Sequence, residues 1–233
     1  MKNAIIVISG GLDSTVAAYY VKKRLNYDKI KFLFFDYNQK SLKEEELSVI
    51  KTAKILNAEL KKINLQWLGE ISTAILNKDK KIPETTEKDL EEENKDLMPW
   101  WVPCRNSIFL IAALAYAESE YLKNKEKYDI FIGLINEGRV HMKDTTKEFI
   151  ESINNLQKHA TDNGNFKIFA PLIDKDKTEI VQLGKELNVP FELTYSCYIE
   201  NGPCGKCLNC MLRKKAFYWA GIEDTTFYKQ QPN

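Results

Sequence analysis

The chain opens on a stretch that leaves few folds available to it. Residues 4–9, AIIVIS, form a short, unbroken apolar run that ends in Gly10-Gly11. The spacing then changes, and Val16, Ala17, Tyr20 and Val21 recur at helical intervals. An unalternated run of Ile and Val predicts a strand covered on both faces. Strand, Gly-rich turn and helix together open a βαβ unit. The pattern repeats. Residues 29–37 (KIKFLFFDY), 59–65 (ELKKINL), 128–134 (YDIFIGL) and 166–173 (FKIFAPLI) predict further strands, and residues 42–57, 107–124, 147–161, 176–188 and 211–220 predict helices. This alternation implies an α/β fold, a doubly wound parallel sheet with helices on both faces. The expected division is an α/β domain over 1–190 and a small cysteine-bearing segment over 191–233. Residues 77–99, NKDKKIPETTEKDLEEENKDLMP, are dense in charge and poor in apolar side chains. They predict a solvated or disordered loop, or a mobile lid over a neighbouring site.

The first turn carries chemistry. SGGLDS (9–14) sits at the carboxyl end of the first strand, where open α/β sheets bind ligands. Gly10 and Gly11 let the backbone turn sharply and approach an anion. The helix that follows offers unpaired N–H groups and a partial positive charge. Ser9, Ser14 and Thr15 add hydroxyl donors. The combination suits a phosphate group. It lacks the lysine of a G-x-x-x-x-G-K-[ST] loop and the spacing of G-x-G-x-x-G.

The far end carries Cys197-x6-Cys204-x2-Cys207-x2-Cys210. Overlapping C-x-x-C steps, with Gly202 and Gly205 between, let the chain wrap a tetrahedral ion. Four thiolates saturate zinc in a closed, structural site. An iron–sulfur cluster also takes four cysteines, so spacing leaves the ion open; zinc is the expectation. The fifth cysteine, Cys104, reads as small core filler. With four cysteines engaged, sulfur delivery to a tRNA base has one thiol left and no evident partner. Lys206, Arg213, Lys214 and Lys215 read as partial compensation for the cluster's charge.

Bulk charge narrows the partners. Thirty-four basic and thirty-three acidic residues give a net charge of +1. A dedicated nucleic-acid binder carries a strongly basic face, so no strong nucleic-acid binding is expected. No stretch reaches the ~18 apolar residues of a membrane span, and the N-terminal run lacks a signal-peptide cleavage pattern. A cytoplasmic protein is expected. Clustered cysteines in that compartment are metal ligands or catalysts more often than disulfides.

SGGLDS resembles the PP-loop of the ATP pyrophosphatases. That resemblance implies ATP bound through Ser9, Gly10, Gly11, Leu12, Asp13, Ser14 and Thr15, with AMP transferred to a carbonyl or carboxylate oxygen and Asp13 placing Mg2+. With FDYNQK (35–40), VPCRNSIFL (102–110), PLIDKDKTEI (171–180) and TYSCY…CGKCLNCMLRKKAF (194–217), the chain is similar over nearly its whole length to the QueC family, the 7-cyano-7-deazaguanine synthases. The family implies 7-carboxy-7-deazaguanine as substrate. ATP adenylates its carboxylate, ammonia displaces AMP to give the amide, and a second ATP drives elimination to the nitrile. It also implies a zinc-bound C-terminal segment and a homodimer. Asp13, Arg105 and Lys177 are the expected catalytic residues. Gln39, Trp101, Arg105, Asn106 and Asp144 are the expected substrate contacts, with Trp100 and Trp101 either lining a slot for the flat base or anchoring a loop.

Two segments depart from the family pattern. DYNQKS (36–41) stands where DYGQRH is expected, so Asn38 replaces a glycine and Ser41 a histidine. GLINEGRVHMKDTTKEF (133–149) replaces a D-Y-S-G-Y-P-D-C string: Gly138 stands at its first aspartate, Asp144 matches its second, and Arg139 and His141 are new. His141 reads as a general base or a solvent-facing side chain. Activation is retained while the substrate-reading part is rewritten. That leaves a competitor, a QueC-like antiphage-defence enzyme that joins the activated deazaguanine to a protein's N-terminal amine. A tRNA-modifying PP-loop enzyme is the reading from another class.

Overall fold

The computed structural model describes residues 2–90, 98–135, 142–162 and 165–229. Five parallel strands form one sheet: β1 (Asn3–Val7), β2 (Lys29–Asp36), β3 (Glu59–Asn64), β4 (Asp129–Ile132) and β5 (Ile168–Phe169), in the order β3-β2-β1-β4-β5. The chain runs outward from β1 to β3, then returns to β1's other side with β4. That reversal is a topological switch point, where the connections diverge and leave a crevice at the carboxyl ends of the strands.

The apolar runs become strands because both faces are covered. Ile6, Ile8, Phe32, Phe34 and Phe131 face one core layer, with Val16 and Ala17 of α1 (Leu12–Lys23) and Val49 of α2 (Leu42–Leu56). Ile5, Val7, Leu33, Phe35, Ile130 and Ile132 face the other, with Leu110, Ala113 and Ala117 of α4 (Arg105–Asn124). Successive strand residues take opposite faces, so an unbroken run feeds both layers. A short α3 (Gln66–Ile71) follows β3. α5 (Lys147–Ala160) joins the α4 layer through Ile153, and α6 (Lys177–Glu186) joins the α1 layer through Ile180 and Val181.

The C-terminal helix α7 (Leu208–Ala220) starts three residues before the expected 211 and packs on α6. Phe217 meets Phe191 edge-on at 4.9 Å, and both belong to the α1 core layer. Arg213 is 1% exposed and donates to Asp224, Thr194 Oγ1 and the Phe191 carbonyl. Its charge is spent on that buried ion pair rather than on the sulfurs.

Two further expectations change, for the fifth strand and for Cys104. The strand expected over 166–173 keeps only Ile168–Phe169; Pro171 lacks the N–H a ladder needs, and turns follow over 171–174. Residues 77–90 are mostly exposed and touch the cysteine segment at one place. Thr85 N donates to the Lys206 carbonyl at 2.8 Å, Lys206 pairs with Glu84, and Thr85 and Leu90 are buried. Residues 91–97 of that segment lie outside the described residues. Cys104 is exposed, at the N-cap of α4 with φ 53°, and fills no core.

Candidate active site

A cleft of about 310 Å3 opens at the switch point, along the carboxyl ends of β1, β2 and β4. Ser9, Asp13, Ser14 and Lys177 line one end. Tyr37, Glu45, Trp101, Arg105, Asn106 and Asp144 line the other. The sequence had set most of these apart; the fold joins them.

At the first end, Gly10 takes φ +78°, in the left-handed region, and a Cβ there would lie 2.6 Å from the Glu45 carbonyl oxygen. Only glycine makes this turn without strain. The Gly10 carbonyl accepts from Ser48 Oγ at 2.8 Å and from the backbone N–H of Tyr195 at 2.8 Å. The phosphate loop is thus tied both to α2 and to the segment leading into the cysteines. Ser9 Oγ and Ser14 Oγ lie 3.0 Å apart, and Ser14 Oγ donates to the Gly11 carbonyl. Leu12 is 2% exposed and Thr15 fully buried, so their side chains turn into the core and only their backbone serves the loop. Asp13 Oδ2 lies 3.3 Å from Lys177 Nζ, while Asp13 Oδ1 is buried with no hydrogen-bond partner. Lys177 is the first residue of α6, set by an Asp176–Glu179 capping box. Lys175 pairs with Glu179 instead, at 3.6 Å.

At the other end, the Arg105 guanidinium lies 5.9 Å from the centre of the Tyr37 ring. Burial pushes the Tyr37 hydroxyl up to about 12, against the lowering influence of Arg105. Burial also pushes the Asp144 carboxyl above the usual carboxylate range, again against Arg105. Asn106 is buried and donates through Nδ2 to the Asp144 carbonyl at 3.2 Å, holding that residue beside α4. Gln39 is buried with its amide engaged by the chain: Oε1 accepts from Tyr37 N, and Nε2 donates to the Phe35 carbonyl and to Glu45 Oε2. It shapes the wall on which it was expected to make contact. Trp100 and Trp101 both line the cleft: Trp100 is 8% exposed with its ring 4.7 Å from the Tyr198 ring, and Trp101 is half-buried.

Several lining residues were missed. Gly133 follows β4 and lies against the first turn of α1. Tyr198 and Asn209 reach the cleft from the cysteine segment. Gly138, Arg139 and His141 lie outside the described residues.

Behind Tyr198 the four sulfurs of Cys197, Cys204, Cys207 and Cys210 all lie within 4.8 Å of one another. Cys197 Sγ is 3.5 Å from Cys204 Sγ and 3.9 Å from Cys207 Sγ. A tetrahedral ion with bonds of about 2.3 Å needs sulfurs about 3.8 Å apart, so the cluster can hold a metal. The Cys204 backbone N–H donates to Cys197 Sγ at 3.4 Å and the Cys207 backbone N–H to Cys204 Sγ at 3.3 Å. Among the described residues no other group of three or more His, Cys, Asp or Glu could hold a metal, and no helix is long and apolar enough to cross a membrane.

Residues 3–221 match the family model described as Queuosine biosynthesis protein QueC. The 7-cyano-7-deazaguanine synthase of Methanosphaera stadtmanae is 39% identical over 235 residues, covering 97% of this chain and 98% of that one. The protein of the same name from Methanococcus maripaludis strain S2 is 41% identical over 237 residues, again covering 97% and 98%. Among solved structures, a 4-thiouridine synthetase–RNA complex with bound ATP aligns with a TM-score of 0.48 at 20% identity, covering 94% of this chain and 50% of that one. The last likeness is too slight to carry function. The first three span the phosphate loop, the cleft and the cysteines: the chain belongs to the QueC family.

Proposed function

We propose that this protein is an ATP-dependent C–N ligase that converts 7-carboxy-7-deazaguanine and ammonia to 7-cyano-7-deazaguanine, a queuosine precursor. The observation that carries the reading is the end-to-end match to relatives bearing the synthase name, 97% of this chain against 98% of theirs. The chemistry explains why one cleft needs two ends. A carboxylate is a poor electrophile because its leaving group would be oxide. Attack of one carboxylate oxygen on the α-phosphorus of ATP breaks the bond to pyrophosphate and leaves an acyl adenylate. Ammonia adds to the acyl carbon, loses a proton, and expels AMP with that oxygen. The amide oxygen attacks a second ATP in the same way; loss of AMP and the two remaining N–H protons leaves the nitrile.

The chain's residues take distinct parts in this. Ser9, Ser14 and the backbone N–H groups opening α1 bind the pyrophosphate. Lys177 offsets phosphate charge as the leaving group departs. The unpartnered Asp13 Oδ1 suits a Mg2+ ion travelling with ATP, which would supply further charge neutralisation. Arg105 grips the substrate carboxylate or a phosphate with its planar fork. Trp101 and Phe109 offer faces for the ring, with Asn106 and Asp144 at its polar edge. The four cysteines fit zinc, which they would hold in a structural role, bracing Tyr195 beside the phosphate loop and Tyr198 beside Trp100. A cytoplasmic homodimer completes the proposal.

Joining the activated base to a protein's N-terminal amine, and tRNA modification, draw no support from the relatives. One experiment separates all three. Purified protein is incubated with ATP, Mg2+, 7-carboxy-7-deazaguanine and ammonium, and the products are read by mass spectrometry. Nitrile is expected, with one AMP for each of the two activations. Amide or adenylate without nitrile would contradict the synthase in favour of conjugation; no AMP release would exclude both.

A further inference from the structure

Glu45 sits in a run of three glutamates that reads as solvated helix surface, yet its side chain lines the cleft. Its carboxylate is held rigidly. Oε1 accepts from Ser41 Oγ at 2.6 Å, and Oε2 accepts from Gln39 Nε2 at 3.0 Å. Gln39 is fixed in turn by Phe35 and Tyr37. Each carboxylate oxygen has acceptor capacity for a second bond. Burial pushes the Glu45 carboxyl up, against the lowering influence of Ser41, Gln39 and Arg105. A chain that clamps a half-buried acid this way, at a cost in desolvation, has placed an acceptor inside a ligand site.

Charge limits what the acceptor can meet. A carboxylate repels phosphate and the substrate's own carboxylate, so among the parts of the substrate its partner is a donor group without negative charge. Position limits it further. The charges that act on Glu45 within the cleft include Arg105, and Glu45 in turn acts on Tyr37. Both line the cleft with Trp101 and Asp144; the Glu45 backbone carbonyl abuts Gly10, while its side chain is turned to Ser41 and Gln39.

We propose that Glu45 is a specificity-determining residue whose two oxygens accept from the paired N–H donors on the pyrimidine edge of a guanine-type base, the ring N1–H and the exocyclic amino group. This rests on the proposed function only for the identity of the base. Ser41 and Gln39 act as positioning residues that hold the acceptor in the plane of the ring. A base lacking the exocyclic amine leaves one carboxylate lone pair desolvated and unmet, and the cleft rejects it for that reason.

The test is equilibrium binding by titration calorimetry on the full chain. Three ligands are used: 7-carboxy-7-deazaguanine, the same molecule without its exocyclic amine, and ATP with Mg2+. The parent is expected to bind the amine-bearing base about 10- to 100-fold more tightly than its analogue, the range for a hydrogen bond to a charged group. In Glu45→Gln that preference should shrink severalfold or more while ATP affinity stays put. Glutamine keeps the clamp, since its carbonyl accepts from Gln39 and its amide donates to Ser41 Oγ. Should the variant fail to fold, the parent's own preference decides. No preference in the parent, an unchanged preference in Glu45→Gln, or a loss confined to ATP affinity would each overturn the assignment. Base binding with the expected preference but without AMP release would sink the proposed reaction and leave this assignment standing.

Discussion

Gly133 is the position where one added methyl group should reach the chemistry. It follows the last residue of β4, and its ideal Cβ would lie 2.7 Å from Ser14 Cα, 3.0 Å from Ser14 N and 3.1 Å from the Asp13 carbonyl oxygen. All three neighbours are backbone of the first turn of α1, so none can swing aside. Reaching the 3.4 Å of an ordinary contact from 2.7 Å requires a movement of about 0.7 Å between β4 and the phosphate loop. Overpacking of this kind costs about 1–3 kcal/mol. For a chain of this length that lowers Tm by roughly 2–4 °C per kcal/mol, so about 2–12 °C in Gly133→Ala. The catalytic effect should be larger, because the displaced Ser14 N–H is among the groups proposed to bind the pyrophosphate. Misplacement by about 1 Å can cost 10²-fold, and a 10- to 100-fold loss is expected here. The assay pairs AMP release at subsaturating ATP with a calorimetric melt. Gly221→Ala is the control: φ is +65° and nothing lies within 4 Å, so left-handed strain of about 1 kcal/mol should lower Tm without touching activity. Parent-like activity in Gly133→Ala, or an equal loss in both variants, would refute the reasoning.

Other perturbations probe the remaining parts. Lys177→Met removes the cation 3.3 Å from Asp13 and should lower AMP formation by about 10²- to 10³-fold with an unchanged far-UV spectrum; retention of most activity would exclude Lys177 from phosphate binding. Asp144→Asn should raise Tm at pH 7. Burial holds the native carboxyl above its unfolded value, so the native state binds the proton more tightly and stability falls as pH rises from about 4 through the raised value. The gain should vanish below about pH 4, and an equal gain at both pH values would contradict the cause. Cys210→Ser should reduce zinc per chain and lower Tm; undiminished zinc would refute the cage.

The fold was legible where one physical cause dominated. The runs in β1, β2 and β4 had to be strands covered on both faces, and the Gly10-Gly11 turn had to close at a helix start. Long-range partners were not legible. Composition marks 77–99 as solvent-loving, and it cannot show the Lys206 carbonyl that Thr85 meets. Arg213 reads as one charge in a basic run until Asp224, eleven residues on, turns back to bury it. Glu45 is indistinguishable from Glu44 and Glu46 in sequence. Only helix phase sends it to the cleft, while Glu44 meets Asn201 and Glu46 meets Lys62. The hexapeptide α3 is too short for any period to register. In the site, the phosphate loop and cysteines were readable because each motif is local. The Arg105 end of the cleft was foreshadowed only in part, through the family resemblance, because it gathers residues from β2, α2, α4 and the segment before α5.

Oxygen labelling asks the decisive question. Both oxygens of the substrate carboxylate are replaced with 18O, and AMP and pyrophosphate are collected from a full turnover with ammonium. Activation at the α-phosphorus should deliver one labelled oxygen to each AMP, from the first and the second ATP alike, leaving pyrophosphate unlabelled and the nitrile free of oxygen. Unlabelled AMP, or label appearing in pyrophosphate or inorganic phosphate, would mean that the cleft does not adenylate the carboxylate.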